Sequence, residues 1–169
     1  MQAETTHYLL ILSDSRAIAW VIAQQRMAFP SPIRAEVSSL KLGDELFIYT
    51  TRGAFGNPTR DRGRVVGRAI ARTSAQHVES PIQIANREFG SACDIDIHQL
   101  SPWGRGVELA PLVERLDAFP VPTAWSWNLR RPLMLLPYRD ASILRTELSR
   151  SAVSVEEAAP TYAEYANRR

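Results

Sequence analysis

One cysteine in 169 residues, Cys93, excludes an internal disulfide. That fits a reducing compartment, and the expected location is cytoplasmic. Lysine is nearly as scarce: Lys41 stands alone, and the other nineteen of the twenty basic residues are arginine. No apolar run is long enough to span a bilayer, so no membrane partner is expected. The opening residues, MQAETTHYLLIL, carry no basic stretch ahead of the apolar one, which predicts no secretory leader. Three histidines, His7, His77 and His98, lie at no ligand spacing to one another or to Cys93. A zinc site is therefore not expected, and no other cofactor is. Phosphate-loop, dinucleotide-binding and nucleophile-elbow patterns are missing as well.

What is present suits a single folded unit with a real core, at 45% hydrophobic residues. The formal net charge of +2 excludes a histone-like polycation. The distribution is more telling. From Arg52 to Arg72 there are six arginines against one acid, Asp61, a local surplus of 6 − 1 = +5. Arginine in place of lysine has a bland source in a GC-rich genome. It is also the better residue for bidentate phosphate contacts and for stacking on bases.

Along the chain, HYLLIL (7–12) predicts a first strand buried on both faces. Ser13, Asp14 and Ser15 are capping residues for a helix over 15–25, with Ile18, Val21, Ile22 and Gln25 on one stripe. Pro30 and Pro32 are read as its end. A short helical turn is expected over 35–40. The stretch 42–72 reads as strand, loop, strand, its Gly/Asn/Pro/Thr-rich loop carrying Arg52, Arg60, Arg62 and Arg64. Residues 75–81 read as a polar connection. Residues 82–89 and 92–100 read as two further strands, the second alternating Cys93, Ile95 and Ile97 with Asp94, Asp96 and His98. A turn around Trp103, a short helix over 109–116, a segment over 123–131 with Trp125 and Trp127, a strand over 133–136 and a helix over 140–148 capped by Asp140 complete the domain. Residues 1–149 form that domain. Residues 150–169 have too few large apolar groups for a core and read as a tail, partly disordered or helical. The pattern is α+β: a mixed β barrel of about six strands with flanking helices.

An ordered set of segments, YLLILSDSRAIAWVI, LKLGDELFIYT, GRVVGRAIA, ELAPLVERLDAF and AWSWNLRRPLMLLPYRDASIL, resembles the EVE family of the PUA superfamily, relatives of the YTH readers. The likeness runs from Tyr8 to Leu148. It implies a PUA-like pseudobarrel, a nucleic-acid partner (DNA or RNA), and an aromatic-lined pocket for a modified base. Two departures stand out. Where EVE members often carry Trp-Gly-Val-Pro after the first helix, this chain has Met27-Ala28-Phe29-Pro30. Either Phe29 takes the tryptophan's place or the pocket differs. The RGAFGNPTRDRGR loop has no counterpart in the family pattern.

The expected base pocket draws on Trp20, Phe29, Phe55, Trp103 and Trp125 as stacking rings. For each ring, burial in the core is the competing reading. Ser13 and Asp14 would add polar groups beside helix N–H donors, or simply cap the helix. Thr50, Thr51 and Asn57 would join them, although Asn57 also suits a turn closed by its own side chain. Arg52, Arg60, Arg62, Arg64 and Arg130 are the expected phosphate contacts, against a plain solvated loop with an Asp61–Arg pair. Three functions remain open. They are a non-enzymatic reader of a modified base, a nucleotide-binding regulatory domain using the same pocket, and an enzyme with Asp61 or the Asp94/Asp96 pair as acid or base.

Overall fold

The computed structural model describes residues 4–166. Strand β1, His7–Leu12, lies parallel to β3, Glu45–Thr50, and antiparallel to β8, Leu133–Leu136. Strand β4, Arg64–Ala71, pairs antiparallel with β3 and with the long β6, Arg87–Leu100. Strand β2, Arg26–Phe29, pairs with β6 at the far edge. The ladder β2-β6-β4-β3-β1-β8 is a six-strand path that curls into a half-barrel. Two more strands attach to it: β5, Gln76–Ile84, on β6, and the short β7, Val107–Glu108, on β4.

Both faces of the sheet are buried, which accounts for the unbroken apolar runs of β1 and β3. Tyr8, Leu10, Leu12, Leu46 and Ile48 enter one core; Leu9, Ile11, Phe47 and Tyr49 enter the other. The first core is covered by helix α1, Ser15–Gln24. The second is covered by 3-10 turns at Ala110–Arg115 and Pro122–Leu129 and by helix α3, Tyr138–Leu148. A one-turn helix α2, Ala35–Ser38, leads into β3.

Several expectations are corrected. The first helix ends at Gln25, whose left-handed backbone (φ 49°) stops it without a proline. Residues 26–29 are then free to form β2, which sequence reading missed. Residues 76–81 of the expected polar connection belong to β5. The expected strand over 82–89 holds a hairpin turn instead: Ile84 pairs with Arg87 across Ala85 and Asn86, both at positive φ (53° and 65°). Asp140 does not cap α3. It is fully buried and accepts hydrogen bonds from the backbone N–H groups of Asp117 and Ala118, at 2.9 and 2.7 Å. Residues Val155–Ala166 of the expected tail form helix α4, the helical alternative, and its Ala158 and Tyr162 are buried in the first core. Tyr162 is 2% exposed, and its hydroxyl donates to the Ser101 carbonyl at 2.6 Å.

Candidate functional site

The half-barrel does not close on itself. Helix α1 joins β1 to β2, yet β3, β4 and β6 lie between those two strands in the ladder. Between them a cleft of about 500 Å³ opens. The end of β1 and the start of α1 supply Leu12, Ser13, Asp14 and Ala17. Strand β2 and its continuation supply Met27, Ala28, Pro30 and Arg34. The β5–β6 hairpin adds Ile84, Arg87 and Phe89, and the segment 129–132 adds Leu129, Arg130, Arg131 and Pro132. That segment is tied to β1 by the Ile11 N–H, which donates to the Pro132 carbonyl at 2.9 Å.

The lining is an apolar floor with charged groups around it. Four arginines, Arg34, Arg87, Arg130 and Arg131, face one acid, Asp14. Desolvation works to raise the Asp14 carboxyl, but hydrogen bonds from the Arg16 side chain and backbone outweigh it and hold the group below its usual range. Asp14 is thus an ionised helix cap, accepting from the Arg16 N–H at 2.7 Å. The Arg87 guanidinium lies 5.3 Å over the Phe89 ring, and Arg130 lies 3.8 Å over Trp127. Arg34 is 3.8 Å from Glu36, and Arg131 makes no ion pair among the described residues.

A second cleft, of about 670 Å³, lies across Leu129, which lines both. It gathers Tyr49 and Thr51 beside β3, Arg52 and Arg62 from the basic loop, Glu108, and Trp125. Burial pushes the Tyr49 hydroxyl up to about 12. A third hollow, of about 40 Å³, is bordered by Thr50, Phe55, Arg62, Arg64 and Trp103.

The residues expected to make one aromatic pocket are therefore divided. Ser13, Asp14 and Arg130 line the first cleft. Thr51, Arg52, Arg62 and Trp125 line the second. Phe55 and Trp103 pack with Tyr165: Phe55 meets both rings edge-on, at 5.8 and 5.2 Å, and Trp103 stacks on Tyr165 at 4.6 Å. Phe29 is fully buried in the core, so its neighbours Met27, Ala28 and Pro30 line the cleft in its stead. Trp20 is half-buried against two core clusters and lines none of these three clefts. Asn57 closes a turn, accepting from the Arg60 N–H at 3.1 Å. Arg60 is paired with Asp61 at 2.7 and 3.0 Å and lies 5.7 Å over Trp103. Arg64 donates to the Gly104 carbonyl at 2.6 Å and lies 3.4 Å from Glu108. Sequence reading missed Met27, Ala28, Arg34, Ile84, Arg87 and Phe89. A hairpin recognised at Ala85-Asn86 would have brought the last three together.

The carboxylates considered for acid–base work are engaged elsewhere. Asp94 pairs with Arg26 at 3.1 Å, Asp96 with His98 at 3.2 Å, and Asp61 with Arg60. Burial pushes the Cys93 thiol up to about 12, which removes it as a nucleophile at neutral pH. Among the described residues no group of three His, Cys, Asp or Glu side chains can hold a metal ion.

No protein-family model and no curated protein matches the chain. Solved structures do. Human THYN1, solved in complex with 5-methylcytosine-containing DNA, matches with a TM-score of 0.54 and 13% identity over 85% of this chain and 98% of that one. The Mmi1 YTH domain in complex with RNA matches at 0.56 and 14% identity over 87% and 79%. A hypothetical protein from Leishmania major matches at 0.55 and 13% identity over 87% and 97%. These likenesses show that the chain shares the fold of THYN1 and of the Mmi1 YTH domain.

Proposed function

We propose that this protein is a non-enzymatic, EVE-like nucleic-acid reader that takes a modified base into the cleft between β1 and β2. The observation that carries the reading is the makeup of that cleft. An apolar floor suits the body of a base, and Arg34, Arg87, Arg130 and Arg131 suit the phosphates around it. Ser13 and Asp14, at the N-terminus of α1, add a hydroxyl and a carboxylate suited to a base edge. The fold supports the reading too, because THYN1 and the Mmi1 YTH domain share it and were solved with methylated DNA and with RNA. Phe89 supplies the one aromatic ring of the lining, so apolar contact with Met27, Ile84 and Leu129 carries more of the base than a tryptophan cage would. Extruding a base from a duplex costs a few kcal/mol, which burial in the cleft must offset.

The four guanidinium groups around one cleft also suit a free nucleotide, which is the second reading. A titration with modified and unmodified oligonucleotides and with free modified nucleotides separates the two. The reader binds the modified oligonucleotide best, with affinity that falls as salt rises. Equal affinity for the free nucleotides favours the second reading. No binding of any probe at low salt overturns both.

A further inference from the structure

The second cleft is built from groups that the first does not use. Of the four arginines on the loop after β3 and at the start of β4, Arg60 and Arg64 are held by Asp61, Gly104 and Glu108. Arg52 and Arg62 make no ion pair among the described residues, and both line the second cleft. The acid in that lining, Glu108, is answered by Arg64 at 3.4 Å. Trp125 is set edge-on against Phe119 at 6.1 Å and lines the same cleft. Tyr49 keeps its hydroxyl proton, and its place depends on Gly63, where a Cβ would collide with that hydroxyl. A stacking ring, two uncommitted guanidinium groups and a neutral hydroxyl suit one nucleotide.

Leu129 is the wall between the two clefts. We propose that the second cleft is a nucleotide subsite for the residue next to the base read in the first, its base against Trp125 and its phosphate against Arg52 and Arg62. This rests on the reader function proposed above. It adds that the ligand is a single strand crossing Leu129, because a base stacked on Trp125 has left its duplex neighbours.

The test uses single-stranded pentanucleotides with 5-methylcytosine or N6-methyladenine at the centre, their duplexes, and the matching nucleoside monophosphates. They are titrated against the full-length protein, W125A, W125L and R52A/R62A. W125L keeps apolar bulk on Phe119 and so serves if W125A fails to fold. Both tryptophan variants are expected to weaken pentanucleotide binding on the order of ten-fold. R52A/R62A is expected to lower the log–log salt slope by about 1.4. Monophosphate binding should not change in any variant, and the duplexes should bind more weakly than the single strands. Loss of monophosphate binding in step with the pentanucleotide, no loss of either, or equal binding of duplex and single strand overturns the second subsite and leaves the first cleft standing. A wild-type protein that binds no probe overturns both.

Discussion

The Tyr165 hydroxyl donates a 2.6 Å hydrogen bond to the carbonyl of Phe55, 110 residues earlier in the chain. Through it, and through the stack of Tyr165 on Trp103, helix α4 pins the basic loop between β3 and β4. The loop arginines are thus carried on a braced segment rather than a free one. Y165F should lower stability by about 1 kcal/mol, the usual worth of one such bond. Thermal melts and proteolysis of residues 52–62 check it, with the variant expected to melt earlier and to be cut faster.

Glu45 is a buried carboxylate, 2% exposed, that ties together β1, β4 and α3. Arg145 donates to it at 2.7 and 3.2 Å, and Arg68 and the His7 ring also donate to it. Burial works to raise its pKa, but the bonds from Arg145, Arg68 and His7 prevail and hold it below the ordinary 4.5. A depressed carboxylate stabilises the fold above its unfolded value, and the contribution is lost as pH falls through the folded one. Stability should therefore decline below about pH 4.5 in the wild type, while E45Q should show a flatter acid limb. E45A should cost about 3–5 kcal/mol at neutral pH by leaving two guanidinium groups without their partner. Urea melts across pH measure both.

The hairpin that brings Ile84, Arg87 and Phe89 to the first cleft turns at Ala85 and Asn86, both left-handed. Asparagine tolerates that conformation, whereas alanine carries a Cβ penalty there. A85G is expected to stabilise the protein by about 1 kcal/mol, read as a raised urea midpoint. No change, or a fall, would mean that the turn is not strained at position 85.

Charge around the first cleft should be visible in salt dependence. Arg130 and Arg131 sit on the segment beside Leu129. R130A/R131A should weaken oligonucleotide binding and lower the log–log salt slope by about 1.4 if each residue meets one phosphate of a single strand. An unchanged slope would place the phosphates elsewhere.

Much of the barrel was legible because apolar runs bury both faces: HYLLIL and LFIY became β1 and β3, and LMLL became β8. The failures cluster where turn chemistry is unusual. Gln25 ends a helix in the left-handed region without glycine, which hid β2. Strand β5 is mostly exposed, and the irregularity in its pairing spans Pro81, so it looked like a linker. Ala-Asn replaced the usual Asn-Gly at the next hairpin. The candidate site was half legible for the same reason. Ser13, Asp14 and Arg130 flank elements read correctly, whereas Met27 and Ala28 sit on the missed β2, and Arg87 and Phe89 open β6 just past the hairpin turn that went unrecognised. Aromatic residues drew attention on a family pattern, yet Phe29 went to the core and Phe55 and Trp103 went to bracing the loop.

The central claim is that the modified base enters the first cleft. Ala17 lines that cleft from α1, half-buried against the small cluster of Ala28, Ile84 and Phe89, so A17W fills the space beside them. The decisive measurement is the affinity ratio of modified to unmodified oligonucleotide, for wild type and A17W at one salt concentration. The account predicts a wild-type preference on the order of ten-fold that falls to about one in A17W, with the weak salt-dependent binding retained. A preference that survives in A17W would contradict it.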